Sequence, residues 1–70
     1  MNSIAQFVKD RRKLLGITQL ELAEKAGVGL RFVRELEQGK ESLRMDKVND
    51  VLALFSHELG PTSSKRDSVK

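Results

Sequence analysis

Seventy residues make one small domain at most, and the absence of cysteine excludes disulfides and thiolate metal sites. Residues 1–13 hold no apolar run of the length that a signal peptide or membrane span needs, so the expectation is a soluble, cytoplasmic protein. The net charge is +3, yet residues 1–60 carry 10 basic and 9 acidic side chains and the last ten residues supply the other +2. Affinity for a polyanion must therefore come from where the charges lie and not from their number.

Helical periodicity dominates. Ile4, Phe7, Val8, Arg11, Leu14 and Leu15 recur at three- and four-residue spacing and predict a first helix over 3–15. Asn2 or Ser3 can cap its start, and Gly16 suits the left-handed residue beyond its end. Thr18-Gln-Leu-Glu21 is a capping box, in which the Thr18 hydroxyl and the Glu21 carboxylate each satisfy a backbone N–H of the other. A second helix then runs to about Ala26 and buries Leu22, Ala23 and Ala26, with Gly27 as its stop. A third covers about 29–38 and ends at Gly39. Val33, Leu36, Phe32 and Gly29 share one side of it, while Arg31, Arg34 and Gln38 centre on the other, flanked by Leu30 and Glu35.

A polar loop over 40–44 leads to a fourth helix over 45–56, striped by Val48, Val51, Leu52 and Phe55. Pro61 bars a longer helix. Residues 56–60 alternate weakly and read as a short strand. Residues 61–70 are rich in Ser, Lys and Asp and predict a disordered tail behind a domain of residues 1–60.

The segment Thr18 to Gly39 meets several steric demands at once. Ala23 is small where the second and third helices cross, Gly27 makes the turn, and Val33 and Leu36 are apolar anchors. This is the outline of a helix-turn-helix whose second helix enters the major groove of DNA. An ordinary bundle of short helices would also want Ala, Gly, Val and Leu there, but it would not place Arg31, Arg34 and Gln38 on one outward face. Arginine can donate two parallel hydrogen bonds to guanine, Leu30 can pack on a thymine methyl, and Glu35 can accept from cytosine or orient an arginine. Gln38 can reach a base or a phosphate. Thr18, Gln19 and the free N–H groups at the start of the second helix are candidates for the phosphate backbone. Lys40, Ser42 and Arg44 would form a second clamp, or a merely solvated loop. Arg12 and Glu37 are placed to form an ion pair between the first and third helices.

These residues, RRKLLGITQLELAEKAGV and VRELEQGK above all, resemble the Xre/Cro family of phage-repressor-type DNA-binding domains over about residues 4–56. The resemblance implies an all-α, compact four-helix, lambda-repressor-like domain that binds palindromic double-stranded operators as a homodimer. It implies phosphate contact at Gln19, base contact at Gly29, Leu30, Arg31 and Glu35, and an Arg12–Glu37 ion pair. Many members carry a fifth helix that this sequence lacks. SLRMDKVNDVLALFSHELG looks instead like the HipB branch, antitoxins whose short terminal strand pairs across the dimer. Here that strand would span about 56–61. That branch implies a HipA-like kinase toxin as partner and autorepression of the operon. A lone strand needs a partner, and pairing with its copy would put His57 and Leu59 on one face, with Leu59 buried.

Enzymatic chemistry is not expected. There is one histidine, His57, and no Gly-rich phosphate loop or metal-spaced cluster, so neither a cofactor nor a metal is anticipated. Two other roles stay open on sequence alone: a regulator without a toxin, such as a restriction–modification controller, and an inhibitor whose main task is binding a toxin.

Overall fold

The computed structural model describes residues 3–59, with the backbone alone for residues 57–59. It contains α1 (Ser3–Leu15), α2 (Gln19–Ala26), α3 (Leu30–Glu37) and α4 (Met45–Leu59), and no strand among the described residues. The local chemistry that starts and stops these helices is the chemistry expected. Thr18 Oγ1 accepts from the Glu21 N–H at 3.0 Å, and Glu21 Oε1 accepts from the Thr18 N–H at 2.8 Å. Each of the first three helices is closed by a glycine of positive φ and a backbone bond that reaches back five residues. These bonds run from Ile17 N–H to Arg12 O, from Val28 N–H to Ala23 O and from Lys40 N–H to Glu35 O. α3 stops at Glu37, one residue short of the expectation, because Gln38 already belongs to this closing turn.

One core joins all four helices: Val8 of α1, Leu22 and Ala23 of α2, Val33 and Leu36 of α3, and Val48, Val51 and Phe55 of α4. α2 packs on α3 and α4, and α3 on α2 and α1, with Ala23 buried among them. The buried line of α1 departs from the expected stripe. Ala5 and Val8 are buried, whereas Ile4, Phe7 and Leu14 are exposed. α1 lies against α3 on one side and α4 on the other, so its buried line is centred between two partners and turns away from Ile4, Phe7 and Leu14. Phe7 covers the edge of the core instead. Its ring meets Phe55 edge-on, with centroids 6.2 Å apart, and carries the Arg11 guanidinium 4.8 Å above it.

The strand expected over 56–61 is not formed at Ser56 to Leu59, which continue α4. An existing helix gains one hydrogen bond for each residue added, without a new nucleus, and Leu59 is the next i+4 position after Phe55. Gly60, Pro61, Asn2 as a cap and the tail over 61–70 lie outside the described residues.

Gly27 tests the turn. Its φ is +75°, and a Cβ added there would meet no atom within 4 Å, so a larger residue is opposed by backbone conformation alone. Gly27→Ala should cost about 1–2 kcal/mol in a urea melt. Gly29→Ala, which also meets open space but at an ordinary φ of −77°, should cost less, about 0.5–1 kcal/mol, for replacing a favoured N-cap residue by a poor one.

Candidate nucleic-acid interface

The third helix is fixed from beneath by a carboxylate. Glu37 is only 4% exposed, and its two oxygens accept three hydrogen bonds from two other parts of the chain. Arg12 of α1 donates from Nε to Oε2 at 2.7 Å and from Nη2 to Oε1 at 3.1 Å. Gln19, the first residue of α2, donates from Nε2 to Oε1 at 3.0 Å. Arg12 also donates from Nη1 to the carbonyl of Ile17 at 3.0 Å, which pins the α1–α2 loop. Glu37 holds the Arg12 pKa above its ordinary value, through this hydrogen bond first and its charge second, against the opposing pull of burial. The raised pKa keeps the arginine charged, so its share of the pairing would be lost only far into alkali.

The Arg12–Glu37 pair was legible in the sequence, but the third member was not. Gln19 was assigned to phosphate, and in the structure one of its amide hydrogens is already committed to Glu37. Glu37 can only accept, so the Nε2 end of the amide must face it. The second N–H and the carbonyl oxygen of Gln19 remain for a ligand. Thr18, beside it, is exposed, with its hydroxyl oxygen engaged in the capping box.

The outward side of α3 is open. Arg31, with a side chain 91% exposed, and Arg34 and Gln38 all face solvent. No side-chain partner holds Arg34 or Gln38 among the described residues. Leu30 is half-buried against the core, so only part of its side chain can meet a base. Gly29 caps the helix without a side chain and leaves the approach to the N-terminal turn unobstructed. Glu35 is half-buried, and its Oε2 accepts from Arg31 Nε at 3.3 Å and from Lys40 Nζ at 3.4 Å.

An open groove runs between α3 and the loop into α4. It gathers Gly29, Arg31 and Glu35 with Lys40, Ser42 and Arg44, so six of the expected residues come together. Lys47, in the first turn of α4, lines the same groove and was missed. Its signal was its spacing: it follows Arg44 by three residues, one helical turn along the same side. Arg44 forms a fork with Asp46, Nη2 to Oδ2 at 2.8 Å and Nε to Oδ1 at 3.2 Å. Those bonds, before any other cause, hold the Asp46 carboxyl below the usual carboxylate range. The pair is solvent-exposed and adds little to stability. What little it adds is present above the ordinary aspartate pKa and fades as pH falls through the depressed one. His57 and Leu59, expected to join two copies, have no described side chains, so that role lies outside the described residues.

No group of three His, Cys, Asp or Glu side chains able to hold a metal occurs among the described residues. No described helix is long and apolar enough to cross a membrane. The arrangement offers a helix face carrying guanidinium and amide groups, with a groove lined by Lys40, Arg44 and Lys47 beside it.

The profile of the helix-turn-helix family matches residues 8–55. An uncharacterized HTH-type transcriptional regulator, y4mF of Sinorhizobium fredii (strain NBRC 101917 / NGR234), is 47% identical over 49 residues, which cover 70% of this chain and 64% of that relative. This chain therefore spans less than two thirds of the relative's length. No solved structure gives a significant match.

The pairing at Glu37 makes a stability prediction. Glu37→Ala strips Arg12 and Gln19 of their acceptor and should cost about 3–5 kcal/mol, as does breaking one side of a buried pair elsewhere. Adding Arg12→Met should return a good part of that loss, because no unpaired charge then stays in the interior. Chemical denaturation of the three proteins checks both statements.

Proposed function

The chain belongs to the Xre-like helix-turn-helix family, and on that premise we propose that it is a DNA-binding transcriptional regulator, a repressor that reads a two-fold symmetric operator as a homodimer. One observation carries the reading. α3 has its underside locked by Glu37 to both α1 and α2, while Arg31 and Arg34 project from its other side into solvent. A helix held in this way can lie in a major groove, with the start of α2 on one strand's phosphates and the groove of Lys40, Ser42, Arg44 and Lys47 on the other's. The name of the relative, an HTH-type transcriptional regulator, supports the same role.

Length supports the dimer. Eight helical residues span ~12 Å, which is roughly four base pairs of major groove. A word that short recurs too often in a genome to mark one operator. A second copy reading a second half-site, centred ~34 Å away, lengthens the word and makes it palindromic. The antitoxin branch, with a HipA-like kinase as partner, drew on a terminal strand. With Ser56 to Leu59 helical, its remaining support is the likeness of the fourth helix. The reading of DNA stands independently of that partner.

Three measurements test the proposal. Arg31→Ala with Arg34→Ala should abolish preference for the selected operator over random duplex and leave weak, salt-sensitive binding; full operator affinity in that variant would place the reading face elsewhere. Lys40→Ala and Lys47→Ala should each weaken binding on all sequences alike and reduce the slope of log K against log salt by about 1. Sedimentation of the operator complex should find two copies per site, and a single copy would end the dimer model.

A further inference from the structure

We propose that Glu35 is a positioning residue for Arg31, aiming its guanidinium end-on at a guanine, and that it does not itself read a base. The inference rests on the reading of the outward face of α3 as the DNA-contacting surface.

The two side chains are unequal partners. The Arg31 side chain is 91% exposed and the Glu35 side chain 24% exposed, so the acid is the anchor and the arginine the arm. The anchor is held from two directions. Arg31 lies one turn earlier on the same helix and donates from Nε at 3.3 Å. Lys40 comes back from beyond the helix end and donates from Nζ at 3.4 Å. Its return is built into the backbone: Gly39 turns at φ +89°, and the Lys40 N–H bonds the carbonyl of Glu35 itself, at 3.1 Å.

This geometry fixes which edge of the guanidinium is available. An arginine has five N–H groups, and it can meet guanine O6 and N7 either side-on, through Nε and Nη2, or end-on, through Nη1 and Nη2. With Nε turned to Glu35, the side-on edge is occupied, while Nη1 and Nη2 have no partner among the described residues and leave the end-on pair available. The same contacts disqualify Glu35 as a reader. Its Oε2 already accepts from two cations, and a base donating to it would have to compete with both. They also offset the penalty of a carboxylate near phosphates, since two positive groups sit on that one oxygen. Arg34, which has no carboxylate on its guanidinium among the described residues, keeps both edges and more rotamers. The base pair under Arg31 is therefore specified more sharply than the one under Arg34.

The test uses the full chain and an operator selected from a random duplex pool, followed by affinities for a panel in which each base pair is changed in turn. Arg31→Ala identifies the base pair that Arg31 reads. Glu35→Ala should cut discrimination at that same base pair by roughly ten-fold while leaving affinity for random duplex equal or higher. Glu35→Gln, whose amide oxygen still accepts from Nε, should keep most of the discrimination, and Glu35→Ala added to Arg31→Ala should lose nothing further. A Glu35→Ala effect at a base pair that Arg31→Ala leaves untouched would make Glu35 a reader and overturn the proposal. So would a uniform loss on all sequences with a lowered melting temperature, which marks a structural role. If Arg31→Ala altered no base preference, the reading of the face would fail first and the proposal with it, an outcome distinct from the other two.

Discussion

The buried carboxylate of Glu37 is the constraint on which the remainder of the architecture depends. Taking a charge out of water is costly, and the cost is offset only where geometry is good and the lone pairs are used. Here both oxygens are used, by a fork from Arg12 and by the amide of Gln19. Each donor belongs to a different helix. A displaced α3 would leave Glu37 unsatisfied, so the pair selects one crossing angle more than it deepens the well. A reading helix needs that selection, since hydrogen bonds to base edges fail with misplacements well under an ångström. The same carboxylate sets the orientation of the Gln19 amide at the start of α2. One buried group thus couples the helix that reads to the helix end that would grip the backbone.

Three acids around the third helix and the loop after it sit with cations. Glu37 faces Arg12, Glu35 faces Arg31 and Lys40, and Asp46 faces Arg44. A net charge near zero over residues 1–60 therefore does not mean an indifferent surface. The exposed pairs contribute little to stability, but they hold long side chains near one conformation and lower the entropy lost on binding. They also set a competition. A phosphate must draw Lys40 from Glu35, or Arg44 from Asp46, before it gains the full value of either. General attraction to polyanions is weakened in this way, and the contrast between a correct and an incorrect site grows.

Much of this was legible in the sequence because the signals were local. The capping box of Thr18 and Glu21 and the glycines at 16, 27 and 39 place helix ends through chemistry within a few residues. The Arg12–Glu37 pair was also within reach, since the turn at Gly27 and the anchors Val33 and Leu36 fix which face of α3 meets α1. What escaped was set by tertiary geometry. Gln19 has no sequence mark that separates bonding a carboxylate from bonding a phosphate. Lys47 joins the groove only because the loop over 40–44 brings α4 beside α3. The stripe on α1 was misplaced because period alone does not tell a helix with one neighbour from a helix wedged between two. The expected strand gave way at Ser56 to Leu59 because a weakly alternating stretch competes against extension of a helix that already exists.

The division of labour across α3 follows from its length. A helix of eight residues has almost no stability of its own in water. Its order comes from Val33 and Leu36 in the core and from Glu37 at the edge, all on its buried side. The groups on the far side contribute nothing comparable: Arg31, Arg34 and Gln38 are exposed, and Gly29 has no side chain. Stability and recognition are thus assigned to opposite faces of the same two turns, and base preference can change there without cost to the fold. Glu35 is the exception, because it is half-buried between the two faces, and from that position a single substitution alters how an arginine is aimed while the helix that carries it stays where it was.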